Sequence, residues 1–368
     1  MIHATAAIAR ARHSGFSLEE VTLEPPKADE VLVRIKATGI CHTDIGARDG
    51  YFPVPELPVI LGHEGAGIVE AVGEDISGVS PGDHVVLSFA YCGKCPNCQA
   101  GMPYLCQYVF PLNFTGLRAD GSCGHCDKSG AQVRGAFFGQ SSFATYSVVK
   151  HNNIVVVPKD IPLELLAPLG CGIQTGAGTV LNALDVQPGD SVAVFGCGAV
   201  GLSAVMAAKL AGCSQILAVD INQERLKLAQ TLGADVAFIA GDDLVERIMT
   251  YTNGAGVRYS VEAAGVPAAL RQAVDILSTP GTCALISGVP AGTEMKLDMA
   301  AFLIGKTLTG LVEGASVPQR FIPELIAHYQ AGRFPLDQLI QTYAFDNINA
   351  ALADAESGAA IKPVLLMP

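Results

Sequence analysis

The chain has 368 residues, of which half are hydrophobic and 16% are charged. That length can bury a large core in two domains, and that composition is globular rather than disordered. A net charge of −12 without a basic run argues against a nucleic-acid partner, and no run of about 18 uninterrupted apolar residues offers a membrane span. The opening "MIHATAAIARARHSGF" lacks the long apolar centre and the small-residue cleavage site of a secretory signal. A cytoplasmic location is therefore expected, where the 11 cysteines are thiols or metal ligands rather than disulfides.

To about residue 165 the sequence reads as short strands and turns. "EVLVRIKATGI", "EGAGIVEAVG", "DHVVLSFA", "SSFATYSVVK" and "NIVVVPKD" are β-branched runs bounded by glycine and proline. Such spacing predicts a barrel-like or sandwich-like β-rich domain. The rhythm changes near Ala167. "DSVAVFG" predicts a buried strand and "AVGLSAVMAAKLAG" a helix; "QILAVD" and "NQERLKLAQTLGA" repeat the unit. "VAFIA", "DLVERIMTYTN", "YSVEAAG", "PAALRQAVDILST", "TCALISG" and "TLTGLV" continue it, which predicts a doubly wound parallel sheet of the Rossmann kind. After Gly314 the pattern is mixed, with "FIPELIAHYQAG" helical and "KPVLLMP" a closing strand expected to rejoin the first domain. The expected division is 1–170 with 313–368 for one domain and 171–312 for the other.

"VAVFGCGAVGL" carries Gly196, Gly198 and Gly201 in G-x-G-x-x-G spacing, with Val200 inside it. The motif follows a predicted strand, opens a predicted helix, and is followed by Asp220 at the end of the next strand. Gly196 permits the tight turn, Gly198 the approach of a pyrophosphate, and Gly201 close helix–strand packing; the helix N-terminus offers N–H groups to phosphate. Asp220 would accept hydrogen bonds from the adenosine ribose and repel a 2′-phosphate, which favours NAD over NADP.

Two cysteine sets point to metal. Cys92, Cys95, Cys98 and Cys106 are spaced C-x2-C-x2-C-x7-C. Four thiolates close a tetrahedral zinc shell with no open position, so such a site clips a loop. A four-cysteine iron–sulfur cluster and a disulfide pair are the alternatives. Cys123 and Cys126 in "SCGHC" could be surface thiols, a redox pair or an adventitious metal site, and receive no role. The second set is scattered: Cys41, His42, Thr43 and Asp44 in "GICHTD", His63 and Glu64 in "LGHEGAG", and Cys171 in "PLGCGIQTG". Two thiolates and one imidazole would make a zinc shell with an open fourth site. Taken singly, each residue is equally at home as a small buried hydrophobe or a core histidine, and their separations are too long for spacing to unite them.

These motifs together resemble the zinc-dependent medium-chain alcohol dehydrogenases. "GHEGAGIVEAVG" is similar to that family's zinc signature, and the "GICHTD" box, the four-cysteine lobe and the G-x-G-x-x-G appear in the family's order. The resemblance spans essentially the whole chain. It implies a GroES-like catalytic domain with a Rossmann domain inserted before its C-terminal segment, and two zinc ions per chain. Cys41, His63 and Cys171 would hold the catalytic zinc, with Glu64 behind the metal and Asp44 orienting His63. Thr43 would hydrogen-bond the substrate oxygen, and His42 would sit near the pyrophosphate. Thr175 and Val289 of the "SGVP" turn would lie beside the nicotinamide, Arg225 near the adenosine ribose, and Lys362 at a basic cofactor-contacting position. Many members place a proton-relay histidine five residues after the first zinc cysteine; here that position is Gly46, which leaves the relay open.

The resemblance further implies Lewis-acid assistance by zinc and hydride transfer between the carbinol carbon and NAD. The sequence looks most like bacterial aryl-alcohol dehydrogenases and their allylic relatives, an impression carried by "YFPVPELPVILGHEGAGIVEAVG" and "VRGAFFGQSSFATY". Phe52, Phe89 and Phe137 fall near positions that line the family's pocket, which would suit a flat conjugated alcohol such as benzyl alcohol. Each could equally be a core phenylalanine. A glutathione-dependent formaldehyde dehydrogenase or a general short-chain alcohol dehydrogenase is the alternative. A small-molecule alcohol or aldehyde is the expected partner. A homodimer or homotetramer is expected through the last strands of the Rossmann domain, because an apolar edge needs cover.

Overall fold

The computed structural model describes residues 1–51 and 55–368. It divides the chain into two compact units, one of Met1–Cys171, Val317–Ile326 and Leu336–Pro368, the other of Gly172–Ser316 and Ala327–Pro335. The expected boundaries at 170/171 and 312/313 need correction: Cys171 ends the first unit, the return falls at Val317, and 327–335 belongs with the second unit. The helix Pro318–Gln330 bridges the two sets of residues, and a single long helix gives the sequence no turn residue to mark such a crossing.

Among the described residues, the first unit holds a small closed barrel and a seven-stranded sheet. The barrel runs through Ile2–Ala9, Ser17–Leu23, Gly124–Asp127, Gln132–Arg134 and Val59–Ile60. The opening segment is a strand, and its apolar residues from Ala6 to Ala9 are fully buried. The sheet is centred on Glu30–Gly39, which pairs with Gly65–Val72, Tyr146–Lys150 and the closing strand Lys362–Leu366. Glu30–Gly39 is buried at nearly every position, with Arg34 and Lys36 the two half-buried ones. The closing strand meets it antiparallel, with Val364 opposite Gly39. That pairing brings the C-terminal residues beside the chain that leads into Cys41.

The second unit is a six-stranded parallel sheet in the order Val236–Ile239, Gln215–Asp220, Ser191–Phe195, Val257–Glu262, Leu277–Leu285, Lys306–Gly310. Every neighbouring pair is parallel. The strand order reverses beside Ser191–Phe195, and a ligand of such a sheet binds at the carboxyl ends of strands next to that reversal. The G-x-G-x-x-G turn begins there, between Phe195 and the helix Ala199–Ala211. Among the described residues no helix is long and apolar enough to cross a membrane.

Candidate metal centre and dinucleotide site

The strand Glu30–Gly39 delivers the chain to Cys41, which caps the helix His42–Asp49. Asp44, in the first turn, folds back onto the cap. Its Oδ2 accepts from Cys41 N at 3.0 Å, and its Oδ1 accepts from Gly62 N at 2.9 Å and lies 2.8 Å from His63 Nδ1. One carboxylate therefore fixes both the Cys41 turn and the His63 ring. Because the carboxylate only accepts, Nδ1 carries a proton, and Nε2 is the nitrogen left to ligate. Asp44, His63 and Glu64 are 0% exposed, and His63 Nε2 is buried with no hydrogen-bond partner.

One ligand atom each from Cys41, His63, Glu64 and Cys171 lies within 4.8 Å of the others. A hydrogen bond from Cys171 leads in holding the Cys41 thiol well below its usual range, and the charge of His63 adds to it against the opposing effect of burial. Burial disfavours a charged His63 ring, yet Asp44 and Cys41 together raise it well above the ordinary imidazole value, so the metal-free ring holds a proton on Nε2 that a cation displaces to reach the lone pair. An imidazole nitrogen beside two thiols, one of them readily ionised, is a donor set for a borderline-soft cation. The residues fit zinc, with Cys41, His63 and Cys171 as its holders.

Behind this set lies an ion pair that the sequence did not reveal. Lys362 Nζ donates to both oxygens of Glu64 at 2.9 Å and to Ile40 O at 3.2 Å. All three ammonium protons are used, and Lys362 is 3% exposed. The structure thus places Lys362, expected at a cofactor-contacting position, against Glu64, whose charge it balances. The closing strand brings it there, because Lys362 begins the segment that pairs with the end of Glu30–Gly39. A side chain at Gly39 would overlap the Glu64 carboxylate, so only glycine admits the pair.

Two phenylalanines wall the histidine. Phe138 lies 4.4 Å from the His63 ring, tilted by 30°, and Phe137 meets it edge-on at 5.8 Å. Phe137 was expected near the site; Phe138 was not distinguished from it, and both face His63. Phe89 is 1% exposed within the hydrophobic core of the unit. Phe52 lies outside the described residues. Thr43 Oγ1 is 3.7 Å from Cys41 Sγ, and His42 is exposed. At Gly46 the ring of Tyr51 stands 3.0 Å from where a β-carbon would lie.

The four-cysteine lobe forms a second gathered set, with Cys92, Cys95, Cys98 and Cys106 also within 4.8 Å of one another. Backbone N–H groups point at the sulfurs: Cys95 N and Lys94 N at Cys92, Gln107 N at Cys95, and Tyr108 N at Cys106, at 3.3 to 3.5 Å. The Gln107 N–H leads in pulling the Cys95 thiol below its usual value. Such donors stabilise thiolates, the state a metal requires. Buried Asn113 ties the lobe down, accepting from Ala90 N at 2.8 Å and donating to Ala90 O and Val109 O. These two clusters are those among the described residues that gather three or more such ligands. Cys123 and Cys126 join neither; Cys123 Sγ is 3.7 Å from Gln132 Oε1, and Cys126 sits opposite Gln132 in the ladder.

In the second unit, Gly196 turns the chain at φ 90° and Gly198 caps the helix Ala199–Ala211. A side chain at Gly201 would overlap the Gly196 carbonyl, which is the close packing the motif requires. Asp220 is nearly buried. Its Oδ2 accepts from Cys197 N at 2.6 Å and its Oδ1 from Asn222 N at 2.8 Å. The carboxylate thus fastens the glycine turn as well as standing at the strand end. Val200 is half-buried in the first helical turn, and Arg225 is half-buried in the helix Gln223–Leu232. Thr175 is buried in the helix Gly172–Gly178, whose Gly176 is pressed against Val200 O. Val289 is half-buried, its Cγ1 near Gly265. Glu262, which no motif singled out, is fully buried and accepts from Ala264 N, Gly265 N and Ser287 Oγ.

Metal analysis of the purified chain is expected to give two zinc ions. Cys171→Ser should lose one with little change in thermal midpoint; Cys98→Ser should lose the other with a large fall. Retention of two in either variant would contradict these assignments. Lys362→Met leaves Glu64 charged and alone, so denaturant titration should show a loss of about 3–5 kcal/mol, most of it recovered by adding Glu64→Gln. An equal loss in the double variant would show that the pair is not what stabilises this region.

The sequence matches the family described as "Alcohol dehydrogenase GroES-like domain" over residues 27–159 and that described as "Zinc-binding dehydrogenase" over 199–330. It is 46% identical to a geraniol dehydrogenase of Castellaniella defragrans, over 99% of this chain and 98% of that protein. It is 36% identical to an S-(hydroxymethyl)glutathione dehydrogenase of Saccharomyces cerevisiae, over 99% of this chain and 96% of that one. Its fold superposes on the crystal structure of benzyl alcohol dehydrogenase from Acinetobacter calcoaceticus with a TM-score of 0.96, 46% identity and full coverage of both chains. With its GroES-like unit, its parallel-sheet unit and its two gathered cysteine sets, the chain belongs to the zinc-dependent medium-chain alcohol dehydrogenase family.

Proposed function

We propose that this enzyme oxidises primary aryl and allylic alcohols, of which benzyl alcohol is the type, to their aldehydes with NAD. The observation that carries the reading is the buried Cys41–His63–Cys171 set walled by two aromatic rings. Relatives named for geraniol and benzyl alcohol support the substrate class. When bound, zinc supplies Lewis-acid polarisation of the alcohol oxygen, and the dinucleotide accepts the hydride.

The chain's own residues do the rest. Asp44 keeps the proton on Nδ1, so that the other ring nitrogen presents a lone pair. Phe137 and Phe138 are buried and exclude water around His63, an apolar wall that suits a conjugated alcohol better than a polar one. Thr43 Oγ1 hydrogen-bonds the alcohol oxygen and carries its proton away. Gly46 supplies no side chain for a further relay and the Tyr51 ring closes the space beside it, so the proton passes from Thr43 to water. In the second unit Asp220 puts a negative charge beside the glycine turn, which disfavours a 2′-phosphate.

We further propose that the enzyme works in the cytoplasm as at least a dimer. Lys306–Gly310 is an open edge of the parallel sheet, and beside it in the chain Met299, Leu303 and Ile304 are 84%, 86% and 59% exposed. A second copy pairing there would cover both. Light scattering on the eluted protein should return a multiple of 38.1 kDa; the monomer mass would reject this assembly.

A panel of benzyl, cinnamyl, geranyl and short aliphatic alcohols with S-hydroxymethylglutathione, run with NAD and with NADP, tests the catalytic reading. The specificity constant should be largest for a conjugated alcohol with NAD. A profile led by ethanol or by the glutathione adduct would give preference to the reading suggested by the yeast relative, and a lead for NADP would overturn the role given to Asp220.

A further inference from the structure

The segment Phe137–Ser142, "FFGQSS", is folded against its local preference. Phe138 and Ser141 have φ of 52° and 50°, a left-handed backbone that non-glycine residues rarely adopt. Hydrogen bonds hold it there. Ser141 Oγ accepts from Phe137 N at 2.8 Å and donates to Ile60 O at 2.6 Å, and Ser142 N donates to Gly62 O at 2.9 Å. The result is that Phe138 faces the His63 ring and that Gln140, which is 0% exposed, turns its carboxamide inward.

That carboxamide is fully engaged. Its Oε1 accepts from Gly65 N at 3.1 Å, and its Nε2 donates to His63 O at 2.9 Å and to Ser88 O at 3.3 Å. The amide orientation is fixed by these partners, since an N–H must meet the oxygen and two carbonyls must meet the nitrogen. The first two contacts grip the backbone on both sides of Glu64, in the turn that carries His63. The third leads to Cys171, because Ser88 Oγ donates to the carbonyl of the preceding residue, Gly170, at 2.7 Å. Buried Asn153 also donates to Ser88 O and to Phe138 O, both at 3.0 Å, which keeps Ser88 in place. A side chain at Gly65 would stand 3.1 Å from Gln140 Oε1, so the turn and the amide are fitted to each other.

We propose that Gln140 is a positioning residue for the catalytic metal centre: one buried amide ties the backbone of the nitrogen ligand to the segment that holds the distant sulfur ligand. This rests on the reading of Cys41, His63 and Cys171 as the holders of zinc. His63 and Cys171 are 108 residues apart in the chain, and Asp44 fixes only the Cys41 and His63 side. The amide link is the tie that joins the His63 turn, through Ser88, to the backbone just before Cys171. Outer partners of metal ligands commonly change metal affinity or activity by about 10–100-fold.

The test uses Gln140→Met, close in volume but without hydrogen bonds, and Ser88→Ala, which cuts only the link to Gly170. Zinc loss to a chelator is followed in each holoenzyme, with the zinc of the four-cysteine lobe as the internal control for folding. Cobalt is then placed in the catalytic site and its absorption spectrum recorded. The expected result for Gln140→Met is zinc loss from the catalytic site that is faster by about 10–100-fold, a shifted cobalt spectrum, and an unchanged lobe. Ser88→Ala should show the same changes to a lesser degree. If Gln140→Met loses the lobe zinc and fails to fold, Ser88→Ala decides. Wild-type retention and an unaltered cobalt spectrum in the folded Gln140→Met, or in Ser88→Ala where it decides, overturn the proposal. Wild-type protein that holds only the lobe zinc overturns the catalytic-zinc reading and this inference with it. None of these readouts depends on which alcohol or dinucleotide the enzyme uses.

Discussion

The hydrogen bond between Asp44 and His63 sets the character of the first unit. By holding the proton of Nδ1, a fully buried carboxylate turns Nε2 toward a space where it has no hydrogen-bond partner. A buried polar atom without a partner is unfavourable by about 1–3 kcal/mol. Two thiols converge on the same space, and one of them ionises readily. A cation relieves all of these at once, so the site is a geometry that makes sense only around a metal.

Charge balance and packing follow from that demand. An ionised Cys41 and Asp44 load the interior with negative charge, and Glu64 adds to it. Lys362, delivered by the closing strand, neutralises Glu64 from behind and leaves the space in front to the ligands. This explains why the C-terminal segment returns to pair with Glu30–Gly39 after the whole second unit has been built. The strained "FFGQSS" segment closes the remaining side, with Phe138 on the ring and Gln140 on the backbone. Strain of this kind persists only where surrounding contacts over-determine it.

Different parts of this arrangement were legible in the sequence to different degrees. The alternation of strand and helix from Ser191 to Asp275 reads directly, because the strands there are short and mostly apolar and each is followed by a helix long enough to cover it. The cysteine lobe reads from spacing, since its ligands lie within fifteen residues and local turns alone can gather them. The scattered ligands Cys41, His63 and Cys171 do not, because the sheet brings them together, and only the resemblance of whole motifs united them. The partner of Lys362 was hidden for a related reason. A basic residue near the end of the chain carries no mark of the carboxylate it will meet, and strand pairing alone places it on Glu64. Gln140 left no signal at all, since an amide's value lies in partners spread over Gly65, His63 and Ser88.

Diffraction from crystals of the freshly purified protein, recorded on both sides of the zinc absorption edge, is the most direct test of a metal held by Cys41, His63 and Cys171. A strong anomalous peak within bonding distance of both sulfurs and of His63 Nε2, lost below the edge, is the predicted result. A peak confined to the four-cysteine lobe, with ordinary solvent or nothing among those three side chains, would contradict the account.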